Sequence, residues 1–198
     1  MSLITLPRML LSDTEGWTDI ARIHPTVARM CVSYVMPLSL IPPLAYAFAQ
    51  QVFPGQVVPL MEPPTTEAEL WLVGVALYVV QVVMVALMAG YIRELALSWA
   101  VPLTYADAYS LAAIAPTPLW ISALALFVPS LWFNVLAVAV AWVGCVLLIR
   151  HGIRPLFHVA DERQVRRLAN GITVAGVGVW IGLVLLLALT LGILMGWR

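Results

Sequence analysis

The sequence predicts an all-α bundle that crosses a membrane five times, preceded by a short amphipathic helix. Three observations predict it. Hydrophobic residues make up 63% of the chain and charged ones 10%, with mean hydropathy +0.98, whereas a soluble domain is about 45–50% apolar and about a quarter charged. Uncharged apolar runs recur at lengths suited to a hydrocarbon core of about 30 Å. The arginines gather in the segments that five crossings leave on one side, as the positive-inside rule asks.

Residues 1–29 are expected to form an N-terminal segment outside the lipid, and residues 30–198 the membrane domain. Met1–Leu11 does not read as a signal peptide, because its apolar runs are interrupted by Pro7 and Arg8 and no small-residue cleavage site follows. Ser12 with Glu15 three residues later makes a capping-box pattern. Trp17, Ile20, Ala21 and His24 share one helical face, Asp13, Glu15, Asp19 and Arg22 lie mostly elsewhere, and Pro25 ends the pattern. Such a helix lies on the membrane surface with Trp17 at headgroup depth, or packs on the protein's own loops.

The spans follow at about 30–53, 70–100, 106–128, 131–150 and 172–195. Pro37, Pro42 and Pro43 in the first free backbone carbonyls that Ser33, Ser39 or a neighbouring helix must satisfy, so it should kink. The loop Pro54–Glu69 carries acids and no base. The second span has Gln81 as its main polar group, passes Arg93 and Glu94 at its end and stops by Pro102. Ala108–Ile149 is uncharged and too long for one crossing, so Pro129-Ser130 is read as the turn of a hairpin, with Asn134 near the bend. A basic loop from Arg150 to Arg167 precedes the last span. Cys31 and Cys145 read as small buried hydrophobes rather than a disulfide.

The arginine distribution predicts the side of each end. Arg8, Arg22, Arg29, Arg93 and the five arginines of the fourth connection fall together, and Arg198 alone falls opposite. The N-terminus is therefore expected in the cytoplasm.

Three constellations could carry chemistry. Arg93, Glu94 and Asp107 flank one short connection, with Tyr109 and Ser110 about a turn inside the third span. They read as an ion- or proton-handling site or, the favoured reading, as a clasp between spans two and three. Pro116 and Pro118 break the third span, as in transporter sites or in simple kinked packing, the latter favoured. Gly171, Ala175, Gly178 and Gly182 form a small-residue stripe on the last span. It suits close approach by span one or three of the same chain, the default, or by a second copy.

Ten acids balance ten basic residues, all of them arginine, so no basic field marks a nucleic-acid binder. His24, His151 and His158 lack metal-site spacing, and no nucleophile–base motif is present. No metal, cofactor or catalytic residue is expected, and the chain reads as a non-enzyme.

The order of motifs resembles the Yip1-domain family of small five-span membrane proteins. The shared features are Trp17-x-x-Ile20, the proline-bearing first span, and Ala108-Tyr109-Ser110 followed by Pro116 and Pro118. Leu119-Trp120, the hairpin at Pro129 and the charged connection after span four complete the likeness, from about residue 10 to the end. The resemblance implies the fold and a membrane location. Eukaryotic members bind Rab GTPases and membrane partners in vesicle traffic, but their Asp-Leu-Tyr-Gly-Pro signature is absent here, so the chain is similar to bacterial members of the inner membrane.

The expected function is lateral assembly, with the glycine stripe and the N-terminal helix as contact surfaces and with lipid, a second copy or other membrane proteins as partners. The alternatives are a small transporter or channel using Arg93, Glu94 and Asp107, and an accessory subunit of a larger membrane complex.

Overall fold

The computed structural model describes residues 9, 16–54 and 66–194. The Ser12–Glu15 cap, most of the first loop and the Gly196-Trp197-Arg198 end lie outside the described residues. Within residues 16–54 and 66–194 six helices follow one another: α1 (Trp17–Ile23), α2 (Val27–Val52), α3 (Glu67–Ser98), α4 (Tyr105–Phe127), α5 (Leu131–Phe157) and α6 (Glu162–Leu194). The last five are each long and apolar enough to cross a membrane, and no strand occurs among the described residues.

Helix ends follow local chemistry. Thr66 caps α3 in a full capping box with Glu69, the reciprocal pairing that satisfies two otherwise orphaned donors. The acids assigned to the loop, Glu67 and Glu69, thereby become the first turn of span two, where the helix dipole favours negative charge. Ser130 caps α5 through the Phe133 N–H, and Asn134 donates to the carbonyls of Val128 and Ser130 to close the hairpin.

The prolines of α2 are absorbed as expected, by neighbours. Pro37 has no N–H, and the backbone widens into a π turn over Cys31–Val35, closed by the Met36 N–H on the Cys31 carbonyl. Pro43 frees the Ser39 carbonyl, which accepts from the Gln81 side chain of α3 at 3.5 Å. Gln81 is thus a repair group for another helix.

α4 is the hub. It packs against α2, α3 and α5, and every residue from Asp107 to Ala115 is buried. Small residues make this enclosure possible: alanine stands at 108, 112, 113 and 115, letting neighbours close in on the backbone. α6 lies outside this group, in the groove between α3 and α5.

Two expectations are corrected. Trp17 packs inside the protein, on α5 rather than on a lipid surface or a loop. Its side chain is wholly buried, donates from Nε1 to the Met9 carbonyl at 3.1 Å, and rests over Gly152 of α5. The fourth connection is mostly helix, since Arg150 and Arg154 end α5 while Arg163, Arg166 and Arg167 begin α6. Its seam is held by an Arg154–Glu162 ion pair, by Gln164 donating to the Trp99 carbonyl, and by Arg167 lying 5.2 Å from the Trp99 ring centroid.

Candidate functional site

Asp107 occupies the first turn of α4, three residues after its cap. Thr104 Oγ1 accepts from the Asp107 N–H at 3.2 Å and donates to Asp107 Oδ2 at 2.5 Å. The second carboxylate oxygen meets His24 Nδ1 at 2.9 Å. His24 ends α1 in a left-handed conformation, φ 43°, with its own N–H on the Ile20 carbonyl. The imidazole therefore leaves the C-terminal end of one helix to meet a carboxylate at the N-terminal end of another. The dipole of α4 favours the carboxylate at its N-terminal end. The Asp107 side chain is 11% exposed and that of His24 56%, so this contact lies at the rim of the bundle.

The arginine–acid cluster does not assemble around Asp107. Arg93 pairs with its sequence neighbour Glu94 at 3.5 Å, and both are exposed. Ser110 is buried and donates back to the Ala106 carbonyl at 3.0 Å, a bond within its own helix rather than an open ligand. Tyr109 is buried, and its ring tilts against Tyr105 at 6.1 Å. Tyr105 in turn donates to the Ala86 carbonyl of α3 at 3.0 Å. Asp107 is thus joined to α1 by His24, and α4 to α3 by Tyr105.

Pro118 leaves the Ile114 carbonyl without its helical donor. Thr117 Oγ1 supplies one at 2.7 Å, and so its own oxygen accepts from Tyr34 Oη at 2.9 Å. Both side chains are buried. The break at Pro116 and Pro118 is therefore a kink bridged to α2, with Pro116 half-buried. Sequence reasoning named the prolines and missed Thr117, Tyr34 and His24; Thr between two prolines was the readable signal.

The small-residue stripe divides along its length. A Cβ on Gly171 would stand 2.8 Å from Leu95 of α3, while Cβ atoms on Gly178 and Gly182 would meet nothing within 4 Å. Ala175 is half-buried. The expected partners, spans one and three, are replaced by α3 and α5. A closer glycine contact went unnoticed in the sequence: a Cβ on Gly152 would come within 2.7 Å of Trp17 and 2.8 Å of Leu111.

A cavity of about 370 Å³ lies between the five spans. Its wall is overwhelmingly apolar, with Gln81, Ser122, Asn134, Trp142 and Trp180 among its polar-tipped groups, and includes neither Arg93, Glu94 nor Asp107. Trp142 and Trp180 meet edge to face at 5.8 Å. Among the described residues, no three His, Cys, Asp or Glu side chains converge as a metal site would need.

The model of one protein family, the Yip1 domain, matches residues 8–183 of this chain. The chain belongs to the Yip1 family. A multi-pass membrane protein is what the Yip1 domain and the five apolar helices together describe, and the Yip1 family is not a known enzyme family. No curated protein and no solved structure matches the sequence.

Proposed function

We propose that this Yip1 protein is a non-enzymatic organising component of a bacterial inner membrane, with its N-terminus in the cytoplasm, acting by lateral assembly. The observation that carries the reading is the open face of α6 at Gly178 and Gly182. Glycine inside a helix costs about 1 kcal/mol relative to alanine, and here no contact within the chain repays it. In lipid, such positions let a second backbone approach closely. The partner is a second copy or another membrane protein.

The transport alternative has less support. It needs water at Asp107, whose oxygens are taken by His24 and Thr104 and which is absent from the cavity wall. Asp107 is better read as a clasp that fastens α1 to the bundle.

Reconstituted protein carrying donor or acceptor fluorophores tests the assembly. Energy transfer between copies should rise with protein-to-lipid ratio, and Gly178→Ile with Gly182→Ile should weaken association by about tenfold or more. A stoichiometric membrane partner lost with the same substitutions would equally support the proposal. Protein that stays monomeric and without partner at every density, or assembly indifferent to both substitutions, would refute it.

A further inference from the structure

We propose that the cavity between the five spans is a binding site for a neutral long-chain lipid with a free hydroxyl, seated with that hydroxyl on Asn134. The shape comes first. From Asn134 to Ile149 along the uninterrupted α5 the wall runs about 22 Å, most of a hydrocarbon core of about 30 Å. A volume of about 370 Å³ spread over that length is narrow. It takes an extended chain rather than a bulky ring system, and falls within the usual range of ligand pockets.

The wall chemistry then selects the headgroup. No charged residue lines the cavity, so a phosphate, carboxylate or ammonium would be stranded there. The wall does carry polar groups with capacity to spare. Asn134 spends its amide hydrogens on the Val128 and Ser130 carbonyls, which leaves Oδ1 buried and without a partner. Deeper in, Tyr46 on the same wall has its hydroxyl buried and without a partner, while the Gln81 amide hydrogens are spent on Ser39 and Leu77. The indoles of Trp142 and Trp180 on the same wall can only donate. A hydroxyl, which both donates and accepts, answers both kinds of group. Asn134 lies in the first turn of α5, at the end of the bundle where a headgroup would stay as its chain runs inward.

Gly176 makes the site testable. It lines the cavity, and a Cβ there meets nothing within 4 Å, so Gly176→Phe fills the space from its wall. Gly90→Phe is the control, since Gly90 is as open and lies off the cavity wall. Full-length protein in phosphatidylcholine liposomes is photolabelled with a diazirine-bearing long-chain primary alcohol and with the matching alkane, and labelled peptides are mapped. The alcohol should label α3, α5 and α6 at cavity positions in wild type and Gly90→Phe, and about tenfold less in Gly176→Phe. It should exceed the alkane by about three- to tenfold, a preference that Asn134→Leu abolishes while alkane labelling stays constant. Thermal unfolding in detergent verifies that each variant is folded, and a variant that fails it is replaced by Gly176→Leu or Asn134→Val. Labelling unchanged in the filled cavity would mean annular lipid only and would overturn the site. Equal capture of alcohol and alkane, or a preference that survives Asn134→Leu, would overturn the hydroxyl assignment.

Discussion

At Gly152, one added carbon would stand 2.7 Å from the Trp17 ring, closer than carbon atoms tolerate. The ring cannot bend aside as a flexible side chain does, so Gly152→Val should expel α1 rather than merely crowd it. Overpacking of this kind costs about 1–3 kcal/mol. The expected readout is a red-shifted Trp17 emission, in a variant whose other tryptophans are replaced, with new protease cleavage near residues 17–23. The companion contact, His24 with Asp107, should show a coupling of about 1 kcal/mol in a double-mutant cycle. A coupling between Arg93 and Asp107 as large as this would contradict the geometry. Asp107 could be picked from the sequence as an acid at the mouth of an apolar run. Its partner could not, because His24 arrives through the docking of a separate helix, and arginine was the nearer base in sequence. Thr117 was missed for a different reason. It stands legibly between Pro116 and Pro118, but those prolines mark the break and not the group that mends it.

At the scale of the element, α4 shows how a helix with two prolines can be the most enclosed part of a membrane protein. The freed Ile114 carbonyl, Thr117 and Tyr34 form one chain of hydrogen bonds between α4 and α2. Thr117→Val removes the middle member and leaves both ends unpaired, at a cost of about 1–3 kcal/mol. Adding Tyr34→Phe should recover part of the loss, measured by unfolding in mixed micelles, because a buried hydroxyl without a partner is then removed. A double variant weaker than Thr117→Val alone would contradict this account. Helix existence was legible throughout, since apolar runs of spanning length leave few alternatives. Helix ends were less so. Span two begins at Glu67 and span four continues through Arg150 and Arg154, because polar residues outside the hydrocarbon still complete backbone hydrogen bonds. The glycine stripe of α6 was readable as a pattern, yet its two ends serve different neighbours, which periodicity does not encode.

At the scale of the molecule, every described arginine lies at the end of the bundle that carries α1. With an odd number of crossings this predicts opposite sidedness for the two ends of the membrane domain. Single cysteines introduced at Glu67 and at Arg163, in protein lacking Cys31 and Cys145, should react with an impermeant maleimide from opposite faces of intact cells. The outer face should expose position 67 and not 163. The clasp at Asp107 adds a consequence in time. His24 and Asp107 are 83 residues apart, so at about 5–20 residues per second a ribosome needs on the order of 4–17 s after making one to make the other. Trp17 waits longer still for Gly152. Through that interval the newborn α1 has no seat in the bundle, and its greasy face is free to rest on the lipid surface or on the insertion machinery. Docking on α5 then ends that exposure.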